Sequence, residues 1–228
     1  VFVVADIPGF YLFFTAVSLG AYWLIVEEGT PSVRRAGTIY VSFALLGEAF
    51  LLLAFVLLAM GAPGDSLLIR DAVAALSTSP MRTPILALLI LGFGVKIGMV
   101  PMHVWMPLTY SAAPIPVAAV LSGAAVKAGV IGLIRFLPFD TAMPGWGEAI
   151  AALGLFSAFY GVAIGITQQN PRAILAYSSV SQMGFIVAVI GMGILAGDGR
   201  AALAAAFYAA PHVLVKGALF LSVGVIAA

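Results

Sequence analysis

The chain has 228 residues, of which 63% are hydrophobic and only 8% are charged, against about 25% charged in an ordinary soluble domain. One soluble core could not bury so much apolar surface, so the composition predicts an integral membrane protein. A net charge of +1 gives no indication of a nucleic-acid partner, and we expect none; the absence of cysteine excludes disulfides, thiolate metal sites and cysteine nucleophiles. Two histidines are too few for most histidine-based metal sites, so we predict neither a metal nor a cofactor.

Glycines, prolines and charges divide the chain into seven apolar runs, each interpreted as a membrane-crossing helix. The runs cover approximately residues 9–27, 36–60, 83–100, 114–137, 147–168, 171–195 and 200–228. The stretch 61–82 is too charged to span and is expected outside the bilayer. The chain starts at Val1 rather than Met and is still apolar at Ala228. We therefore expect residues 1–228 to form a single transmembrane domain that is an internal fragment of a longer subunit.

A β-barrel is the other architecture that crosses membranes, and it requires strands of about 10 residues with alternating polarity. Runs such as Phe50 to Met60 show no alternation, so we predict an all-α bundle of transmembrane helices. The arginines are divided almost evenly between the two alternating sets of loops, so the positive-inside rule leaves the orientation open.

Ionisable side chains fall inside the apolar runs, where a charge costs about 2.5–3.5 kcal/mol on insertion scales. They are Glu48, Lys96, Lys127 and Lys216, and His212 precedes Lys216 by one helical turn. One explanation is structural, with a Glu–Lys pair that holds two helices together. Snorkelling is another, but the headgroups lie too far from a lysine at the centre of a span.

The lysines outnumber the acid, so a static Glu–Lys pair does not account for them. Small or neutral polar residues would join helices at a lower cost. Desolvation disfavours the charged form of a buried amine and so lets it gain and lose a proton. We therefore interpret Lys96, Lys127 and Lys216 as proton carriers.

The third run contains a motif rich in helix-breaking residues, Lys96-Ile-Gly-Met-Val-Pro-Met-His103-Val-Trp-Met-Pro107. Pro101 cannot donate to the carbonyl of Ile97 and its ring collides with that carbonyl, so we predict a break between about Met99 and His103. Broken helices occur in bilayers where protein or a hydrated cavity satisfies the freed backbone, and they accompany buried charges in transporters. The alternative is a helix that simply ends at Met99 and leaves His103 at the membrane surface.

Polar side chains form stripes on the last two runs. Tyr208, His212 and Lys216 recur every fourth residue and share one face of an otherwise apolar helix. The pairs on the preceding run are Tyr177 with Ser181 and Ser178 with Gln182. For this serine and glutamine set we favour hydrogen bonds between helices over a role in transport.

Four motifs follow one another along most of the chain. They are the Lys96–Pro107 motif, Ala113-Pro-Ile-Pro-Val-Ala-Ala-Val-Leu-Ser-Gly-Ala-Ala-Val-Lys127-Ala-Gly129, Asn170-Pro-Arg-Ala-Ile-Leu-Ala-Tyr-Ser-Ser-Val-Ser-Gln-Met-Gly184 and His212-Val-Leu-Val-Lys216-Gly-Ala-Leu-Phe220. Together they resemble the antiporter-like membrane subunits shared by respiratory complex I, Mrp-type sodium/proton antiporters and membrane-bound hydrogenases of the formate hydrogenlyase type. The resemblance implies an inverted-repeat fold with a broken helix. It makes Lys96 the lysine of the broken helix, Lys127 the connecting lysine of the next span, and Lys216 with His212 the central relay.

The sequence departs from the family pattern at two positions. The family's first-span motif, Phe-Trp-Glu-Leu-Met-Ser-Leu, carries a glutamate that partners the broken-helix lysine, and Thr15 stands in its place here. A second family histidine is replaced by Tyr208. Glu48 is the remaining mid-membrane acid, so we predict that it faces the interior within reach of Lys96, directly or through one water. The alternative is that Glu48 pairs with another subunit or is held neutral by a backbone contact.

These features favour a proton-translocating membrane subunit of a redox-driven complex, of the NADH:quinone oxidoreductase or hydrogenase type. The chain shows no redox site of its own, so any oxidoreductase chemistry would belong to other membrane subunits as partners. One alternative is an Mrp-type antiporter that exchanges Na+ for protons, with Glu48 as a candidate sodium ligand. Another is a membrane anchor that conducts nothing. The expected location is the bacterial inner membrane.

Overall fold

The computed structural model describes residues 3–227, which form ten α-helices and no β-strand longer than an isolated bridge. The helices are α1 (Ile7–Val26), α2 (Pro31–Gly61), α3 (Ile69–Leu76), α4 (Arg82–Ile97), α5 (Trp105–Ala112), α6 (Ile115–Val120), α7 (Val126–Phe136), α8 (Pro144–Gly165), α9 (Pro171–Ala196) and α10 (Arg200–Ala227). A π-helical turn, Leu121–Ala125, joins α6 and α7 into one helix. The predicted all-α class is confirmed.

Side-chain caps and prolines set the starts of three long helices. The side chains of Asp6, Thr30 and Asn170 accept hydrogen bonds from backbone N–H groups of α1, α2 and α9, at 2.7, 3.4 and 2.9 Å. A proline lies in the first turn after each cap, where its missing N–H would be unpaired in any case. Local sequence therefore fixes where these helices begin.

Six helices within residues 3–227 are long and apolar enough to cross a membrane, namely α1, α2, the joined α6–α7 helix, α8, α9 and α10. They correspond to six of the seven predicted apolar runs. The third run, about 83–100, corresponds to α4, of 16 residues, and the short helix α5, of 8 residues, follows after an irregular segment. The charged stretch 61–82 contains a 3₁₀ turn and the short helix α3, which is too short to span.

Helix α4 ends where Gly98 adopts a left-handed conformation, with φ of +72°. The Met99 N–H donates to the Gly94 carbonyl at 2.9 Å and the Gly98 N–H to the Val95 carbonyl at 3.2 Å, the hydrogen-bond pattern of a Schellman motif. The Trp105 indole N–H donates to the same Val95 carbonyl at 2.8 Å. Protein groups therefore bind two of the carbonyl groups that the helix end frees, those of Gly94 and Val95.

The irregular segment 98–104 confirms the predicted interruption, although its immediate cause is different. The missing N–H and the ring clash of Pro101 predict a break at that residue, whereas α4 has already ended at Gly98. Pro101 follows within the irregular segment, after a cis peptide bond to Val100. The motif thus contains two successive helix stops, of which the glycine acts first.

Phenylalanine side chains fill the interior where α1, α2, α4 and α7 meet. The members of this cluster, each at most 3% exposed, are Phe10, Phe14, Phe55, Phe93 and Phe136. Ring centroids lie as close as 4.6 Å, between Phe55 and Phe136, and the rings pack mainly edge to face or tilted. The cluster forms an apolar wall next to the site described below.

Helices α8 and α9 pack through glycines on both surfaces. Gly154 and Gly161 of α8 are seven residues apart, as are Gly184 and Gly191 of α9, so each pair lies on one helix face. A Cβ atom at Gly154 would lie 2.7 Å from the Gly184 carbonyl oxygen, and one at Gly161 would lie 2.8 Å from the Tyr177 carbonyl oxygen. The backbones approach this closely because glycine has no side chain, a packing mode common between membrane helices.

Helix α10 is continuous through Pro211, which cannot donate a hydrogen bond to the Phe207 carbonyl. This local weakness lies directly before His212. The opposite face of the helix is apolar and points outward, since Leu203, Phe207 and Leu214 are each at least 67% exposed. Such a surface suits lipid or further membrane helices.

Candidate functional site

Lys96 lies in the last turn of α4, beside the helix break, and is 7% exposed. Its ammonium group donates to the Ser18 hydroxyl at 2.8 Å and to the Tyr40 hydroxyl at 3.5 Å. The Phe14 ring centroid is 5.5 Å from Nζ, a cation–π contact. Carbonyl groups at a helix C-terminus stabilise the charged amine, whereas burial opposes it. Opposing effects of this kind are what a group that changes its charge requires.

Glu48 lies in the middle of α2 and is buried, with 5% of its surface exposed. The Thr15 hydroxyl of α1 donates to its Oε2 atom at 2.7 Å. The carboxylate therefore faces the interior, as predicted, and its contact is a side chain rather than the backbone group of the alternative. Thr15 is the residue that stands in place of the family's glutamate, so the carboxylate is held beside that position from the neighbouring helix.

Glu48, Lys96 and Ser18 line one small cavity of about 10 Å³, which is near the smallest volume that holds one water molecule. The Ser18 hydroxyl accepts from Lys96 and lies beside the Glu48 carboxylate. Ion pairs of residues 3–227 form away from this cavity, between Arg70 and Asp71 and between Arg200 and Asp198. Glu48 and Lys96 are thus near each other without a direct salt bridge.

A second buried cluster combines Lys127 of α7 with His212 and Lys216 of α10, which are 4%, 8% and 2% exposed. The Lys127 ammonium donates to the Ser122 carbonyl at 2.6 Å, and the Lys216 ammonium donates to the Leu175 carbonyl at 2.9 Å. The three groups are close enough to interact electrostatically. Both ring nitrogens of His212 are buried without a hydrogen-bond partner in the described part of the chain. Each of these nitrogens can donate or accept a hydrogen bond, depending on the protonation state of the imidazole.

His103 lies inside the bundle, 5% exposed, with its ring 5.0 Å from that of Tyr160 in an edge-to-face contact. The side chain of His103 is therefore covered by protein rather than exposed on the outside of the bundle. Gln182 accepts a hydrogen bond from Tyr208, which joins α9 to α10. The favoured structural interpretation of Gln182 agrees with this bond, whereas the buried Ser181 hydroxyl has no partner within residues 3–227.

The sequence analysis did not single out Ser18, Tyr40 or Ser122, although each contacts a predicted lysine. Spacing offered a partial signal, because Ser18 follows Thr15 by three residues on α1 and Tyr40 precedes Glu48 by eight on α2, so each pair shares a helix face. Ser122 contacts Lys127 through its carbonyl group, which carries no signature of residue type. The structure therefore adds neighbours to the predicted lysines without removing any of them.

Residues 5–228 match the model of the family described as NADH:quinone oxidoreductase/Mrp antiporter, TM. The chain is 33% identical to hydrogenase-4 component B of Escherichia coli, over 95% of this chain and 34% of that protein. It is 32% identical to NADH-quinone oxidoreductase subunit N of Desulforudis audaxviator, over 96% of this chain and 44% of that protein.

Among solved structures, the chain is similar to one in the Mrp complex of Dietzia sp., with a TM-score of 0.87 and 27% identity over 98% of this chain. That alignment covers 24% of the longer chain. This chain thus spans less than half the length of these relatives.

Proposed function

Because the chain belongs to the NADH:quinone oxidoreductase/Mrp antiporter family of membrane subunits, we propose that it translocates protons as a single transmembrane domain within a larger subunit. The proposal rests on the arrangement of two buried side chains. Lys96, beside the helix break, and Glu48, from the neighbouring helix α2, line a cavity sized for one water molecule. A permanent structural ion pair would favour direct contact. A pair separated by a hydroxyl and a cavity can instead change its distance and charge state.

In this proposal Lys96 accepts and releases the proton, and Glu48 favours its charged form when the two groups approach. Lys127 passes protons inward, and His212 with Lys216 carries them laterally. The partners are other membrane subunits of a redox-driven complex of the hydrogenase or NADH:quinone oxidoreductase type, located in the bacterial inner membrane. The redox reaction itself belongs to those partners.

Sodium/proton antiport is a second candidate, favoured by the likeness to a chain of the Mrp complex. Glu48 with the hydroxyls of Thr15 and Ser18 offers oxygen atoms to a cation. The Lys96 ammonium on the same cavity opposes a second positive charge there. Proton translocation therefore suits this geometry better, and transport that is independent of Na+ would separate the two functions.

The test is Lys96→Ala in the complete, assembled complex reconstituted into vesicles with a pH-sensitive dye inside. We expect proton transport to be abolished while the amount of inserted complex is unchanged, because a methyl group cannot cycle a proton. Arg70→Ala is a matched control, since that side chain is exposed outside the spans. Parent-level transport by Lys96→Ala would reject the proposal. Glu48→Gln, which keeps the shape and removes the charge, should also slow transport.

A further inference from the structure

Two buried serines connect the surroundings of Lys127 with those of Lys216. The hydroxyl oxygens of Ser122 and Ser179 are 3.0 Å apart, and both residues are 1% exposed. Lys127 is bound to the Ser122 carbonyl, as described above. On the Lys216 side, the Leu175 carbonyl joins the two groups, because it accepts from the Lys216 ammonium at 2.9 Å and from the Ser179 hydroxyl at 3.1 Å.

The Leu175 carbonyl has more donors than lone pairs. Its oxygen has two lone pairs, and one of them faces the backbone N–H of Ser179, four residues on in α9. The Ser179 hydroxyl and the Lys216 ammonium share the other in this structure. An ammonium donates more strongly than a neutral amine, so a charged Lys216 weakens the hydroxyl's bond and favours its rotation away from Leu175, whereas a neutral Lys216 favours its return.

A displaced Ser179 hydroxyl has Ser122 as its neighbouring acceptor, since either oxygen of that pair can act as the donor. Ser122 must then direct its own proton elsewhere. The Tyr110 hydroxyl lies beside Ser122, is wholly buried and has no hydrogen-bond partner of proper geometry within residues 3–227. A buried hydroxyl without a partner is unfavourable, so Tyr110 is a ready acceptor.

Tyr110 also connects this group to the Lys96 site. The Tyr40 phenol, which accepts from Lys96, is near enough to Tyr110 to act on it electrostatically. Both phenol rings pack edge to face on the Trp105 ring, at centroid distances of 5.3 and 6.0 Å. Trp105 in turn caps the end of α4, so the two lysine sites share one packed framework.

We propose that the hydroxyls of Ser179, Ser122 and Tyr110 form a switchable hydrogen-bond series that reports the charge of Lys216 to the Lys96 site. The proposal rests on the proposed function and adds these three positioning residues to it. No proton leaves its oxygen in this step, because each hydroxyl only rotates to a new acceptor. The titratable groups around the ends of the series are Lys127 and His212 near Lys216, and Glu48 and Tyr40 near Lys96.

The first test measures proton transport by the complete complex in vesicles. Ser179→Ala and Tyr110→Phe each remove one hydroxyl, and transport should fall roughly two- to tenfold, the range that corresponds to one lost hydrogen bond. Ser179→Thr keeps the hydroxyl and should retain transport. Ser181→Ala is the matched control, because that serine is equally buried on α9 but has no partner in the described chain.

The second test follows the Tyr110 phenol by infrared difference spectroscopy, with the Tyr110→Phe spectrum subtracted to isolate it. Its C–O stretch should change with pH in the parent complex and in Ser181→Ala, but not in Ser179→Ala. A merely structural role for Ser179 would leave the pH response intact and would overturn the proposal. Parent-level transport in Ser179→Ala and Tyr110→Phe with an inactive Lys96→Ala would also overturn it while leaving the proposed function standing.

Discussion

Thr15→Val is the sharpest test of how the carboxylate is held, because it removes the hydroxyl that donates to Glu48 at 2.7 Å and nearly preserves side-chain shape. Hydrogen bonds to charged groups contribute about 1.5–3 kcal/mol. At about 1.4 kcal/mol per factor of ten, this corresponds to roughly a 10- to 150-fold change in the population of the correctly placed carboxylate. If transport requires that placement, the initial rate of proton uptake into vesicles should fall at least about tenfold.

The controls for this prediction use the same chemistry elsewhere. Thr15→Ser keeps the hydroxyl and should retain most of the transport rate. Thr38→Val makes the same change at an exposed position of α2, where the hydroxyl bonds only its own helix. The exchange variant Thr15→Glu with Glu48→Thr returns the carboxylate to α1, and it should transport faster than Glu48→Thr alone. A Thr15→Val complex that transports at the parent rate would refute the reasoning.

Two further predictions concern stability, measured as the thermal unfolding midpoint of the purified complex. Gly98→Ala should lower the midpoint, because a left-handed conformation costs an alanine about 1–2 kcal/mol. Gly20→Ala is the control, since its added methyl group meets nothing within 4 Å, and it should leave the midpoint unchanged. Equal midpoints for the two variants would contradict this account of the helix break. Gly154→Ala should destabilise the complex by about 1–3 kcal/mol, since its methyl would lie 2.7 Å from the Gly184 carbonyl and neither backbone can yield. An unchanged midpoint there would show that α8 and α9 can separate freely.

Much of the fold follows from the sequence, because a bilayer leaves few choices for the backbone. Long apolar runs must become helices, and caps such as Thr30 and Asn170 fix their starts. Burial of Glu48, Lys96 and Lys127 could likewise be predicted, since a charge within an apolar run must avoid lipid. These predictions depend on local pattern and on the solvent, both of which a single sequence reveals.

Other features depend on contacts between distant segments and could not be predicted in this way. The Trp105 indole, ten residues further on, binds the Val95 carbonyl where α4 ends at Gly98, and no local pattern announces that contact. The bonds from Lys127 and Lys216 go to backbone carbonyls, whose availability depends on helix geometry rather than on residue type. The roles of the predicted lysines remain predictions until transport is measured.

The π-helical turn at Leu121–Ala125 has a consequence for comparing this span with others. Five residues make about one turn there, so Lys127 lies roughly one turn after Ser122, close enough to bind the Ser122 carbonyl at 2.6 Å. In a regular α-helix each residue advances about 100°, and residues five apart diverge. The wide turn contains one additional residue, and this residue rotates the side chains of all following residues about the helix axis. In relatives without this additional residue, the side chains that face the interior after the turn would be displaced by one position in a sequence alignment.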